Sequence, residues 1–220
     1  MTKKQKKEIK YSEADLIDFF NLNRLVGNNG NLLMSDWTNV EKPIFQPYED
    51  VFLDIIWNEA KNGIESWNEE ELKTKFICFV IRLGLLNDNE KYKTYAEREI
   101  FETIDGYYLY AKPDFMIAKG ILDKPKMPYF YFQEYKKLKD PSGDPVPQLL
   151  ESLLIAKAKN NNNKPLYGCT ITGKLWDFFV MENNNYCISK SYDCTDKEEL
   201  YQIIAILRKF KHILETKLID

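Results

Sequence analysis

Apolar positions in the first third of the chain recur with helical spacing. In SEADLIDFFNLN, Ser12 suits a helix N-cap. A second helix is predicted at PYEDVFLDIIWNEAK, and a third, the most periodic, at NEEELKTKFICFVIRLGLL. Residues 22–47 are predicted to be a loop, because Asn, Gly and Pro recur throughout them.

Strand patterns replace the helical spacing after residue 97. The segment EREIFETIDGYYLYAKPDFMIA is rich in β-branched and aromatic residues, and Asp105-Gly106 within it predicts a hairpin turn. Pro113 then permits the start of another strand. The stretch YFYFQEYKK, residues 129–137, predicts a further strand that is aromatic along most of its length.

The remainder of the chain predicts one helix, a strand pair and a closing helix. QLLESLLIAKAKN is amphipathic, and PLYGCTITGKLWDFFVME predicts two strands. TDKEELYQIIAILRKFKHILETKL predicts the last helix, capped by Thr195 or Asp196. The order of elements predicts an α/β fold with a central mixed β-sheet flanked by helices. We expect one globular unit, in which residues 1–60 are an N-terminal helical extension and 61–220 the main domain.

The aromatic strand ends with a carboxylate and an ammonium on the same face. Because strand side chains alternate, Glu134 and Lys136 stand side by side. The same alternation predicts Phe130 and Phe132 on their face and three tyrosines on the other: Tyr129, Tyr131 and Tyr135. A Glu-x-Lys pair on a strand is usually a solvated edge pair, but apolar residues on both faces argue against an exposed edge here.

A second carboxylate lies at the start of the preceding predicted strand. Asp114 follows Pro113, twenty residues before Glu134. If the two strands are neighbours, Asp114, Glu134 and Lys136 converge. Two carboxylates suit Mg²⁺ (or Mn²⁺), which keeps several waters and also binds substrate phosphate oxygens. A lysine beside them would position water or stabilise charge in the transition state.

Pro113-Asp114 followed by Glu134-Tyr135-Lys136 resembles the signature of the PD-(D/E)XK nuclease superfamily. The helical segment at WNEEELKTKFICFVIRLGL resembles the first core helix of that fold, which often supplies a further acidic ligand. PVPQLLESLLIA resembles the helix after the lysine strand, where many members place a glutamine. The resemblance covers residues 65–215. Within the superfamily, the chain resembles the nuclease domain of restriction-enzyme motor subunits. This resemblance implies a restriction-endonuclease-like sheet within the main domain and Mg²⁺-dependent phosphodiester hydrolysis.

The resemblance assigns roles to five residues. The metal ligands would be Glu69, Asp114 and Glu134, and the catalytic residues would be Asp114, Glu134, Lys136 and Gln148. Glu69 is preferred over Glu70 and Glu71 because its helical angle lies closest to the apolar stripe at Leu72. Two alternatives stay open: all three glutamates favour the helix N-terminus through its dipole, and Gln148 is a plain first-turn residue.

Composition narrows the function further. The net charge of −3 argues against non-specific coating of nucleic acid, although an enzyme with a local basic patch is compatible with it. The single histidine, His212, excludes histidine-dependent hydrolases, and no phosphate-binding glycine loop is present. We therefore expect DNA as substrate, with RNA left open, and a homodimer or a partner subunit as the source of specificity or motor activity. The alternative is an inactive nuclease-fold domain that binds nucleic acid or protein.

The cysteines and the apolar segments bear on location. None of the four cysteines forms a C-x-x-C pair, which favours free thiols in a reducing compartment. No apolar run reaches the roughly 20 residues that span a bilayer. We expect a cytoplasmic protein that does not associate with a membrane.

Overall fold

The computed structural model describes residues 10–26, 31–138 and 144–219. The α-helices of this part are α1 (Glu13–Phe20), α2 (Leu32–Thr38), α3 (Pro47–Gly63), α4 (Glu69–Leu72), α5 (Cys78–Leu83), α6 (Pro145–Asn160) and α7 (Lys197–Ile213). A π-helical turn, Lys73–Ile77, joins α4 to α5, and another, Leu214–Leu218, extends α7. A 3₁₀ turn, Ile64–Ser66, follows α3.

The strands are β1 (Asn23–Leu25), β2 (Lys93–Ala96), β3 (Ile100–Ile104), β4 (Tyr107–Ala111), β5 (Phe115–Ile121), β6 (Lys124–Lys136), β7 (Leu166–Thr172), β8 (Leu175–Glu182), β9 (Asn185–Ile188) and β10 (Tyr192–Asp193). The main sheet has the order β1-β9-β8-β7-β6-β5-β2, with β10 also paired to β8. The β6/β7 and β1/β9 pairs are parallel and the remaining pairs antiparallel. The predicted α/β fold with a mixed sheet and flanking helices is confirmed.

Each face of the sheet carries its own hydrophobic core. The first core packs α2, α3, α5 and α7 against the sheet, with Trp37 and Phe210 fully buried in it. The second core packs α1, α6 and the separate β3–β4 hairpin against the other face, around Phe132 and Leu153. Burial of each such large apolar side chain contributes about 1.5–3 kcal/mol, so both cores stabilise the sheet.

A β-bulge interrupts the pairing of β5 with β6. Ile117 lies opposite Tyr131, but Ala118 lies opposite Tyr129, so Phe130 is the extra residue. Phe130 consequently packs in the first core and Tyr129 in the second. The prediction from simple alternation is therefore wrong for these two residues, while the strand beyond the bulge alternates as predicted.

The segment predicted as an N-terminal extension takes part in both cores. Leu16 packs in the second core, and Trp37 and Leu53 pack in the first. Trp37 also donates its indole N–H to the carbonyl of Ile206 at 2.9 Å. The prediction that residues 22–47 form a loop is wrong, because they contain α2 and the strand β1 at the edge of the sheet. The many Asn residues of this segment concealed both elements.

Local signals at turns and caps fixed several boundaries. Asp105 and Gly106 both have positive φ, as a two-residue hairpin turn requires, so the predicted hairpin is confirmed. Of the two predicted caps of the last helix, Asp196 accepts hydrogen bonds from the backbone N–H groups of Glu198 and Glu199. Within the described ranges no helix is both long enough and apolar enough to cross a bilayer.

Candidate active site

The two carboxylates predicted to meet lie at the same end of adjacent strands. In the antiparallel β5/β6 pair, Phe115 lies opposite Gln133, so one further step sets Asp114 opposite Glu134. The Asp114 carboxylate also accepts a hydrogen bond from the backbone N–H of Tyr135, with Oδ2 2.7 Å from N. Asp114 is thus fixed to the strand that carries the Glu-x-Lys pair.

Lys136 and Glu69 complete the cluster. Lys136 ends β6, its side chain is 13% exposed, and its Nζ is 3.9 Å from Oε2 of Glu69. Glu69 is the first residue of α4, the helix whose Leu72 packs in the first core. The structure therefore brings Glu69, Asp114, Glu134 and Lys136 together, as the sequence predicted.

The two other glutamates of α4 point elsewhere. Glu70 is exposed. Glu71 accepts a hydrogen bond from the backbone N–H of Asn68 at 3.0 Å and pairs with Lys75 at 3.1 Å. Glu69 is therefore the glutamate of this helix that is available to the site, and the helical angle had predicted it.

Sequence reasoning missed a second lysine at the centre of the cluster. The ammonium nitrogen of Lys73 is 2.7 Å from Oδ1 of Asp114 and 3.1 Å from Oε1 of Glu69. Burial alone would lower the pKa of Lys73, but the hydrogen bonds and charges of the two carboxylates outweigh it and raise that pKa. Lys73 follows Glu69 by four residues, and this spacing could have predicted the pair.

Glu134 is the most deeply buried acid of the cluster, with 4% of its surface exposed. Burial raises the pKa of Glu134 well above its usual value of 4.5, and the neighbouring carboxylate of Asp114 raises it further. Lys136 acts in the opposite direction, while Glu69 and Glu151 add to the increase. Burial and the neighbouring carboxylates therefore favour the protonated form of Glu134.

Helix α6 contributes a glutamate that the sequence did not single out. Glu151 is 7% exposed and its charge acts on Glu134. Gln148, the residue predicted for the site, lies three positions earlier on the same side of the helix, and its side chain is exposed. The buried polar residues of α6 are Glu151 and Ser152, and Glu151 is the one whose charge acts on Glu134.

The cluster offers few oxygen ligands to a divalent cation. Within residues 10–26, 31–138 and 144–219, no group of three or more acidic, cysteine or histidine side chains is arranged so that it could hold a metal ion. Mg²⁺ does not demand such a group, because one or two carboxylates suffice when waters and substrate phosphate supply the other oxygens. Asp114 and Glu134, with Glu69 beside them, fit that smaller requirement. A cation would favour the ionised form of Glu134, which burial and the neighbouring carboxylates disfavour.

Comparisons of the chain with protein-family models, with curated proteins and with solved structures gave no match. These comparisons therefore assign the chain to no family.

Proposed function

We propose that the protein is a Mg²⁺-dependent nuclease that hydrolyses phosphodiester bonds in DNA. The observation that carries this proposal is the convergence of Asp114 and Glu134 from adjacent strands, with Lys136 two residues further along β6. Glu134 and Lys136 do not form a solvated edge pair, because β6 is not an edge strand and lies between β5 and β7.

Each residue has a distinct role in this proposal. Asp114 and Glu134 hold the metal ion, with Glu69 as a third acidic ligand. A bound Mg²⁺ lowers the pKa of water and offsets the charge that develops on the phosphate oxygens. Lys136, whose ammonium lies on the Glu69 side of the cluster, positions the attacking water or stabilises the transition state.

Cleavage assays on the Lys136→Ala variant test the proposal. The variant removes the charge at the strand end and also the packing of a side chain that is 13% exposed, so circular dichroism must first show that it folds. We expect the folded variant to lose at least about 100-fold in cleavage rate. Lys137→Ala is the matched control, since Lys137 follows directly but lies beyond the end of β6. Plasmid, linear and single-stranded DNA and an RNA of the same sequence should be tested with Mg²⁺ and Mn²⁺. Undiminished cleavage by Lys136→Ala, or cleavage in EDTA, contradicts the proposal.

A second candidate function is a nuclease-fold domain that binds nucleic acid or protein without cleaving it. The observation that favours it is the ammonium of Lys73, which lies 2.7 Å from Asp114 where a metal ion would bind. The two functions differ in metal dependence. The nuclease proposal requires that Mg²⁺ raise the melting temperature, whereas a permanently lysine-filled site predicts no change.

The remaining proposals concern partners and location. Sequence specificity or motor activity would come from a homodimer or a partner subunit. Size-exclusion chromatography with light scattering tests whether the isolated chain forms a homodimer.

We also propose a cytoplasmic location. All four cysteines, Cys78, Cys169, Cys187 and Cys194, are free thiols, which suits a reducing compartment.

A further inference from the structure

Lys73 holds a position that is unusual for a lysine beside a cation site. Its ammonium lies between Asp114 and Glu69, at 2.7 Å and 3.1 Å from their nearest oxygens. These are the same carboxylates that the proposed function assigns to the metal ion. A metal ion bound to Asp114 Oδ1 at the usual Mg²⁺ distance would lie no more than about 5 Å from this ammonium. The two cations would repel each other strongly at that separation.

A third carboxylate offers the ammonium an alternative partner. Oε1 of Glu97 is 3.5 Å from Lys73 Nζ, and the Glu97 side chain is 48% exposed, so it lies on the solvent side of the cluster. Glu97 is tied to the site through its backbone N–H, which donates to the carbonyl of Asp114 at 3.3 Å. Lys112 contacts the other Glu97 oxygen at 2.7 Å. Lys73 could therefore leave Asp114 without losing every ionic partner.

The backbone at Lys73 is itself irregular. Lys73 is the first residue of the π-helical turn Lys73–Ile77, which interrupts the α-helix running through residues 69–83. Single π turns within α-helices are frequent at functional sites, because the inserted residue shifts the side chains that follow. Lys73 thus lies where the regular helix gives way to the π turn, while Leu72 and Phe76 pack in the first core.

We propose that Lys73 is a tethered cation that occupies the metal position between Glu69 and Asp114 in the metal-free protein and moves towards Glu97 when a divalent ion binds. This inference rests on the proposed metal site but does not require cleavage. Its consequence is that Lys73 limits the affinity for Mg²⁺ while stabilising the metal-free fold. The competing interpretation is that Lys73 is an ordinary structural ion-pair partner with no effect on metal binding.

Isothermal titration of Mg²⁺ and Mn²⁺ into Lys73→Met tests the proposal, because methionine keeps much of the side-chain length and removes the charge. We expect the variant to bind the ions at least tenfold more tightly than the unmodified protein and to melt at a lower temperature in EDTA. Lys75→Met is the matched control: Lys75 pairs with Glu71 at 3.1 Å on the same helical segment, away from Asp114. The control should leave the metal affinity unchanged.

The outcomes separate this inference from the nuclease proposal. Tighter metal binding by Lys73→Met without cleavage by either protein supports the tethered cation and contradicts the nuclease. Equal or weaker metal binding by Lys73→Met, with cleavage by the unmodified protein, overturns the tethered cation and leaves the nuclease standing. Absence of metal binding by both proteins overturns both proposals. Lys73→Gln provides a second neutral variant if Lys73→Met does not fold.

Discussion

Glu134 is the residue at which the physical demands of the candidate site are most evident. It lies beside three other carboxylates, those of Asp114, Glu69 and Glu151, and water reaches little of its surface. An acid in such surroundings holds its proton more tightly than in water. The folded, metal-free protein therefore binds a proton at Glu134 under conditions where the unfolded chain releases it.

This proton predicts how stability depends on pH in EDTA. Because the folded-state pKa of Glu134 is raised above 4.5, its contribution to the free energy of unfolding falls as the pH rises from 4.5 through that folded-state pKa. Glu134→Gln cannot titrate, so the variant should gain stability relative to the unmodified protein, by up to about 1.4 kcal/mol per pH unit. Urea unfolding at several pH values between 5 and 8 measures this. A stability difference that stays constant with pH contradicts the prediction.

The sequence predicted some residues of the site and missed others for a clear physical reason. Asp114, Glu134 and Lys136 were predictable because strand periodicity and a short motif are local signals, and Glu69 because of its helical angle. Lys73 and Glu151 take their roles from which helix lies over the strand ends. That arrangement is a tertiary property. The four-residue spacing could have predicted the pair of Lys73 with Glu69, but not the contact of Lys73 with Asp114.

At the level of elements, the contact of α6 with β6 and β7 determines where Glu151 and Glu134 meet. Gly168 of β7 permits this contact. A Cβ atom added there would lie 2.9 Å from a methyl group of Leu149 and 3.1 Å from the carbonyl oxygen of Phe132. The close approach of helix to sheet therefore depends on the absence of a side chain at this position.

Gly168→Ala should consequently destabilise the fold by about 1–3 kcal/mol, because the backbone carbonyl cannot yield and Leu149 must move. Chemical denaturation measures the loss. A double-mutant cycle with Leu149→Ala supplies the control: the alanine at 168 should cost less once the leucine methyl groups are gone. Equal losses in the two backgrounds would show that Leu149 is not the obstacle.

The elements also mark the limit of pattern-based prediction. The strongly periodic helices and the Asp105-Gly106 hairpin were predictable because each carries its own signal. The helix α2 was not predictable, because it has only seven residues and lies in an Asn-rich segment. Its helical conformation depends on the burial of Trp37. The bulge at Phe130 arises from pairing with β5, and no property of the β6 sequence alone indicates it.

The whole molecule combines a net charge of −3 with an acidic cluster at the strand ends. Such a chain gains little from general attraction to nucleic acid, so a nuclease built on it depends on a local cation to draw phosphate to the site. The sheet supports this arrangement by carrying a core on each face, including side chains from the segment 10–60. The strands that carry Asp114 and Glu134 at their ends are thus packed on both faces.

The central claim is that these carboxylates bind a divalent metal ion. Its most direct measurement is the melting temperature of the protein with and without Mg²⁺, compared with that of Asp114→Ala. At a concentration near 100 times the dissociation constant, binding should stabilise the fold by about 2.7 kcal/mol. For a chain of this length that corresponds to a rise of about 5–10 °C. We predict this rise in the unmodified protein and its loss in Asp114→Ala. An equal response of both proteins, or no response by the unmodified protein, would contradict the claim.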